Sequence, residues 1–259
     1  MRNLLTRRNK QRDSLSLQDM PDEIVLKIFT YLEIKNILKM SQTSKRYHEI
    51  CQEDSLWQIF DYSGKKVPTD FVHKLLEKGC TFLCLQNGSK LKGNLDFNDV
   101  SKLTDLYLDN VKAKAGVLEQ ITASSRSLEV LELCNLKLNP NFKKICQRNG
   151  KTLQKLDLSD YQGLDFQSIQ HIVRNCTELI DLSLYDTEIS EEAINYLANN
   201  LTPKIRKLNL GCFGANHIRD EHITTLVSRC NNIVDLDISY SLTGAVYTLG
   251  HFSAFLNWF

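Results

Sequence analysis

The side chains that could do chemistry are few and poorly grouped. His217 and His222 flank Ile-Arg-Asp-Glu, but a five-residue spacing does not set two ligands on one helix face as i, i+4 does. His171 and Cys176 are likewise five apart, and His48 and Cys51 fall inside a short apolar helix pattern. The eight cysteines (51, 80, 84, 134, 146, 176, 212 and 230) form no Cys-x-x-Cys pair, so nothing in their spacing gathers four ligands for zinc. Gly-x-Gly-x-x-Gly, a phosphate loop and Gly-x-Ser-x-Gly are all missing from the sequence, and with them the usual carriers of cofactor, phosphoryl and acyl chemistry. The expectation is a non-enzyme with no catalytic residue, no metal and no cofactor.

The cysteines instead follow a repeat. Leu-x-x-Leu-x-Leu occurs at Leu103/Leu106/Leu108, Leu128/Leu131/Leu133, Leu153/Leu156/Leu158 and Leu179/Leu182/Leu184, then as Ile205/Leu208/Leu210 and Ile233/Leu236/Ile238. First positions are 25, 25, 26, 26 and 28 residues apart, and a weaker copy stands at Cys80/Leu83/Leu85. Cys176 and Cys230 each precede a first position by three residues, and Cys134 and Cys212 follow a strand, as small buried hydrophobes do. A period of this length gives one strand and one helix per unit, hence a parallel sheet with helices on one side. Seven such strands predict a sheet about 30 Å long. Helix starts are read at Asn139-Pro140, ending at Gly150, at Ser190-Glu191-Glu192, and at Asp220-Glu221 with Ile223, Leu226 and Val227 inward. The fold class is α/β: a small helical module, then a solenoid with the sheet concave and the helices convex.

Composition agrees with a folded, self-contained core. The 259 residues are 42% hydrophobic and carry a formal net charge of +1, too little for a protein held to nucleic acid by its overall charge. Five basic residues (Arg2, Arg7, Arg8, Lys10, Arg12) crowd the first twelve positions, a pattern read as either a nuclear import signal or a solvated tail. No stretch is long and apolar enough to span a bilayer, and the N-terminus lacks the apolar segment of a signal peptide. The expectation is a protein of nucleus and cytoplasm with reduced thiols and no membrane or nucleic-acid partner.

Residues 17–57 stand outside the repeat. Pro21 suits the first position of a helix, and Asp22 and Glu23 complement its positive end. Ile24, Ile28 and Leu32 recur every four residues beside Val25 and Phe29, and further helices are read at 34–40 and 46–51. About 40 residues of helix cannot bury that much apolar surface alone. Pro21-Asp22-Glu23-Ile24, Ile28-Phe29, Leu32, Ile37-Leu38, Ser44-Lys45-Arg46 and Asp54-Ser55-Leu56-Trp57 resemble the F-box throughout, with Met20 where Leu usually precedes the Pro and Tyr47 where Trp often follows the Arg. With the repeats behind it, the chain resembles the F-box and leucine-rich-repeat family. Leu56-Trp57, Asp61, Gly64-Lys65 and Leu75-Leu76 are most similar to its S-phase-kinase-associated branch.

That resemblance implies a substrate receptor of an SCF (Skp–cullin–F-box) ubiquitin ligase. Met20, Pro21, Ile24, Ile28, Phe29, Leu32, Ile37 and Leu38 would dock on the Skp adaptor, and through it on cullin and RING subunits; the repeats would hold a protein substrate, with a cell-cycle regulator as the class. The domains follow as a basic tail (1–16), the F-box (17–60), a linker with a degenerate first repeat (61–102), the repeats (103–243) and an atypical apolar end (244–259). Phe252, Phe255, Leu256, Trp258 and Phe259 in that end read as an apolar cap or, on the lack of a polar outer face, as a shortened chain.

Residues alternating with the leucines must line the open face of the sheet. The first column is Asp105, Val130, Lys155, Asp181, Lys207, Asp235, the second Tyr107, Glu132, Asp157, Ser183, Asn209, Asp237, and the third Asp109, Cys134, Ser159, Tyr185, Gly211, Ser239. The substrate-binding candidates are Asp105, Tyr107, Asp109, Glu132, Lys155, Asp157, Asp181, Tyr185, Asn209, Asp235 and Asp237. Seven acids against two bases repel phosphate and favour a partner offering Lys or Arg. The alternative is a repeat scaffold, or a shortened competitor, that recruits no ligase; the two readings part at the helical module, which docks on another chain in one and packs on the solenoid in the other.

Overall fold

The computed structural model describes residues 16–92, 102–114, 116–136, 141–211 and 218–239. The basic tail before Ser16, Asn139-Pro140, Cys212, His217 and residues 244–259 lie outside them. The chain divides into two compact units, one ending at Leu56 and the other beginning at Trp57.

The first unit is helical. A short 3-10 turn, Leu17–Asp19, is closed by Ser16, whose hydroxyl accepts the Gln18 N–H. Helices α1 (Asp22–Phe29), α2 (Ile34–Met40) and α3 (Lys45–Ile50) follow. Pro21 is not the first helical residue, as expected, but the residue before it. Its backbone is extended (ψ 153°), and its carbonyl accepts the N–H groups of Ile24 and Val25. Val25, Phe29, Ile37, Tyr47, Ile50 and Cys51 are buried, with the Phe29 and Tyr47 rings edge to face at 5.6 Å. Arg46 stitches the start of the unit together. It pairs with Asp22 at 2.6 Å, donates to the Gln18 carbonyl at 2.6 Å and also donates to the Met20 carbonyl.

The second unit is the solenoid. Its main sheet holds β1 (Ile59–Asp61), β3 (Phe82–Leu85), β5 (Asp105–Asp109), β6 (Val130–Cys134), β7 (Lys155–Asp157), β8 (Asp181–Ser183), β9 (Lys207–Asn209) and β10 (Asp235–Asp237), in that order and all parallel. A second, two-stranded parallel sheet pairs β2 (Lys66–Pro68) with β4 (Lys90–Lys92). The helices are α4 (Thr69–Glu77), α5 (Val117–Ser124), α6 (Phe142–Asn149), α7 (Phe166–Asn175), α8 (Glu191–Asn200) and α9 (Asp220–Arg229), and α6 to α9 pack each against the next. Strands are in register at the middle leucine, with Leu106, Leu131, Leu156, Leu182, Leu208 and Leu236 opposite one another. Every residue of the six repeats' leucine and isoleucine triplets is buried.

Among the described residues the main sheet has eight strands in place of the seven expected. The extra one, β1, comes from Trp57, Phe60 and Tyr62, which hold the Leu-x-x-Leu-x-Leu positions with aromatic rings. Phe60 is fully buried and stacks on Tyr62 at 5.2 Å. The boundary between the compact units puts β1 with the solenoid, and residues 61–92 carry β2, α4, β3 and β4.

Among the described residues, six main-sheet strands, β1, β3 and β5 to β8, are followed by a left-handed residue seven positions after the first residue of the repeat. Gly64, Asn87, Asn110, Asn135, Asp160 and Asp186 all have φ between 50° and 75°. These residue types tolerate that conformation. Each turn also extends the ladder: the N–H groups of Asn110, Asn135, Asp160 and Asp186 donate to Cys134, Ser159, Tyr185 and Gly211 carbonyls of the next repeat. Asn135→Val should lower stability by about 1–2 kcal/mol, because a β-branched side chain is strained there, whereas Asn135→Gly should change it little. Urea denaturation of the two variants checks this.

Helix α8 is capped by the residue expected and α6 by a neighbour of the one expected, while the cap of α7 was not read from the sequence. Ser190 caps α8 through the Ala193 N–H at 3.2 Å, and Asp165 caps α7 through Ser168 at 2.7 Å. Asn141, adjacent to the expected Asn-Pro start, caps α6 by accepting from Lys144 at 2.9 Å. His222 is buried, and its Nδ1 accepts the Arg219 N–H that opens α9; that local hydrogen bond is what the imidazole does.

Candidate functional site

Two surfaces present themselves, one on each unit. On the helical unit α1 and α2 keep part of their apolar face open. Ile24 is 49% exposed and Leu38 42%, Pro21 is exposed, and Met20, Ile28 and Leu32 are half-buried. Phe29 and Ile37, expected on the same docking face, are instead 0% and 2% exposed. They are this unit's own core, because three short helices need an inward set before they can offer an outward one. Tyr31, which the helical period did not single out, is 78% exposed, with the Lys27 ammonium 5.6 Å from its ring centroid.

On the solenoid, the predicted columns stand where alternation puts them. Asp105, Tyr107, Asp109, Glu132, Lys155, Asp157, Asp181, Tyr185, Asn209, Asp235 and Asp237 are all half-buried along one sheet face, and Lys207 is exposed beside them. They do not all have their oxygens free for a partner. In the second column Asp157 accepts the N–H and hydroxyl of Ser159 at 2.9 and 2.6 Å. Asn209 accepts the Gly211 N–H and Asp237 the Ser239 N–H, each at 2.9 Å. Asp61 does the same for Ser63 at 3.1 Å. These side chains close the end of their own strands, a local role that the same Asp/Asn spacing in the sequence already encodes.

Charge meets charge along the first column and from it to the second. Lys155 donates to Glu132 at 2.7 Å. Burial works against the charge of Lys155, but the hydrogen bond and charge of Glu132, then Asp181 and Asp157, outweigh it and raise its pKa. Asp181, between Lys155 and Lys207 in the register, is pushed up by burial despite both lysines. A shallow depression of about 150 Å³ beside it is lined by Asp181, Lys207, Asn209, Asp235 and Asp237. A wider groove of about 790 Å³ runs instead along the strand starts, past Glu129, Gln154, Ile180, Arg206 and Val234. It mixes both charge signs with exposed aliphatics and gathers no convergent set of groups.

At the turn edge, Asp160 is pushed up by burial first, then by the charge and hydrogen bond of Asp186, then by Asp109 and Asp157. An acid whose folded pKa is raised binds its proton more tightly in the folded state, so stability falls as pH climbs from the unfolded value of about 3.9 through the raised one. Asp160→Asn, which keeps a residue tolerant of the left-handed turn, should therefore raise the urea midpoint at pH 7. The gain should vanish at pH 3, where both forms are neutral.

The first apolar strands form a different end to this face. Ile59 on β1 is 69% exposed, and the Phe82 and Tyr107 rings lie 5.1 Å apart across β3 and β5. The sequence columns began at Asp105 and so missed Ile59 and Phe82, although both stand two residues after a first-position residue. Among the described residues no group of three or more His, Cys, Asp or Glu could hold a metal, and no helix is long and apolar enough to cross a membrane. The seven described cysteines are free thiols. Burial pushes those of Cys51, Cys80, Cys84, Cys134 and Cys230 up, Cys80 to about 12, which disfavours the reactive thiolate.

Comparison with known proteins agrees with this division. A family model described as the SKP2 LRR domain matches residues 70–254, more than half of the chain, and one described as F-box-like matches residues 17–63. F-box/LRR-repeat protein 21 of Bos taurus is 20% identical over 222 residues, 86% of this chain and 45% of that protein. F-box only protein 36 of Mus musculus is 38% identical over 42 residues, 16% of this chain and 22% of that protein. The chain spans less than half the length of the relative that it matches over most of its own. With the helical unit and the leucine register both matched, the chain belongs to the F-box and leucine-rich-repeat family and is related to SKP2.

Proposed function

We propose that the chain is the substrate-receptor subunit of an SCF-type ubiquitin ligase. Its helical unit docks on a Skp-type adaptor, and through it on cullin and RING subunits, while the solenoid holds the protein to be ubiquitinated. The chain itself is non-catalytic, and the transfer chemistry belongs to the other subunits. The observation that carries the reading is the open apolar row of Ile24 and Leu38 on a unit matched by the F-box-like model. Exposed aliphatics on so small a helical set are costly in water and are expected at an interface. A cell-cycle regulator as substrate, and residence in nucleus and cytoplasm, belong to the same proposal.

Mixing the purified chain with a Skp adaptor and following gel filtration tests it. The expected result is one co-eluting complex in which the chain keeps its fold. Separate elution at concentrations well above those of stable complexes would overturn the receptor reading in favour of a repeat scaffold without ligase recruitment.

A further inference from the structure

The small sheet of β2 and β4 carries charge of one sign. One further segment continues it, because Lys90 and Lys112 form a parallel bridge. Backbone hydrogen bonds fix the three segments side by side. The Lys90 N–H donates to the Lys65 carbonyl at 3.0 Å, the Leu91 N–H to the Lys112 carbonyl at 2.9 Å, and the Lys112 N–H to the Ser89 carbonyl at 2.8 Å. Val67 and Leu91 turn inward and are buried. Alternation then sends Lys66, Lys90 and Lys112 outward in one row, with Lys92 next along β4, and all four are exposed. Their side chains start about 4.8 Å apart across the row and about 6.6 Å apart along β4. Lys65 lies beside them, its ammonium 4.8 Å from the Tyr62 ring centroid. Among the described residues no ion pair or side-chain hydrogen bond engages Lys66, Lys90, Lys92 or Lys112. Residues 65–92 hold two acids, Asp70 and Glu77, both on α4, and Glu77 pairs with His73 at 3.4 Å.

Like charges directly opposite one another weaken a sheet, so the fold keeps this row at a cost. Protection of an open edge is the ordinary use of strand lysines. It accounts for Lys66 on the outer strand β2, but not for Lys90 and Lys92, which lie on the strand between β2 and Lys112. We propose that this lysine surface is a docking site for a short Asp- and Glu-rich segment of a partner protein. The site is on a different sheet from the proposed substrate grip, and the inference does not depend on the receptor reading. Charge decides the occupant. Ammonium groups this close together favour a run of anionic groups over a single carboxylate. An extended acidic segment repeats its charge on one face about every 6.6 Å, the step from Lys90 to Lys92. A nucleic acid or an anionic membrane would reach past the patch to the acids of the same repeats, Asp61, Asp105 and Asp109, and be repelled there. None of the exposed large apolar side chains is on β2 or β4 to stack on a base or enter a bilayer.

Fluorescence anisotropy of a labelled peptide of alternating Glu and Ser, titrated with the full chain, tests the proposal. Lys66→Gln combined with Lys90→Gln and Lys112→Gln keeps much of each stem and removes the charge. The expected result is binding that weakens with added salt and falls at least about tenfold in that variant. The variant's urea midpoint should stay level or rise, because the repulsion across the row is gone, so a lost fold would not explain the loss. Lys151→Gln with Lys204→Gln and Arg206→Gln removes as much charge from the groove along the strand starts, and should change peptide binding less than about twofold. No binding at low salt, or equal losses in the two variants, would overturn the proposal. So would tighter binding of a single-stranded oligonucleotide or of phosphatidylserine vesicles, or self-association of the chain that the lysine variant abolishes. Adaptor binding is measured on the same variants. A chain that joins the adaptor yet ignores the acidic peptide overturns this inference alone, and one that binds the peptide but not the adaptor overturns the receptor reading alone.

Discussion

Asn149→Leu should lower the stability of the solenoid by about 3 kcal/mol or more, although the two side chains are close in size. Asn149 is fully buried at the end of α6. Its amide donates to the Ser125 carbonyl at 3.1 Å and to the Ile145 carbonyl at 3.0 Å, and its oxygen accepts the Leu128 N–H at 3.0 Å. One side chain thus satisfies backbone groups of the preceding repeat where the chain leaves α5 and enters β6. Leucine keeps the volume but leaves the Leu128 N–H and the Ser125 carbonyl buried without this partner, and each such loss costs about 1–3 kcal/mol. Asn149→Asp keeps the acceptor for Leu128 but faces two carbonyls with oxygen, so it should rescue little. The next residue is equally constrained. A Cβ on Gly150 would come within 2.3 Å of the Asn175 carbonyl oxygen and 2.5 Å of that of Cys146. Here glycine serves close packing between repeats, since its φ of −63° is ordinary. Urea denaturation checks the size of the Asn149 effect, and amide exchange should place the lost protection in β6 and its neighbours first. A loss under 1 kcal/mol would mean that these contacts are not what joins the two repeats.

The period of 25 to 28 residues carried most of the fold. A leucine every third and then second position can be satisfied by one arrangement, in which successive strands lie in register and bury the same face, and the observed register follows it at every middle leucine. The first strand escaped because Trp57, Phe60 and Tyr62 fill a leucine pattern with rings, which a search for aliphatic residues passes over. The left-handed ladder was written in the sequence as Asn or Asp at a fixed offset, in Asn110, Asn135, Asp160 and Asp186, and needed only the phase of the repeat to be seen. Side-chain roles were harder to read. Alternation places Asp157, Asn209 and Asp237 on the open face correctly, but it cannot tell that their oxygens turn back to their own strand ends. In the helical unit, the 3.6-residue period marks apolar positions without saying which face is spent on the unit's own core. Phe29 and Ile37 went inward, Ile24 and Leu38 stayed out, and Tyr31 lay off the predicted stripe.

That division sets the second large effect. Ile24→Asp combined with Leu38→Asp should weaken adaptor binding at least about a hundredfold, equivalent to about 2.7 kcal/mol. Both residues are close to half exposed in this chain, so charge there disturbs the folded unit little, whereas a carboxylate buried in an interface without a partner is strongly unfavourable. Phe29→Asp is the opposite control. Phe29 has no exposed surface and packs on Tyr47, so that variant should melt the helical unit whether or not the adaptor is present.

The most direct measurement is therefore calorimetric titration of a Skp adaptor into the wild-type chain and the Ile24→Asp/Leu38→Asp variant, with thermal melting of both alone. The account predicts tight wild-type binding, at least a hundredfold loss in the variant, and melting temperatures that agree within a few degrees. A variant that melts far lower, in a chain whose wild-type form ignores the adaptor, would contradict it and make the helical unit a structural part of the repeat protein.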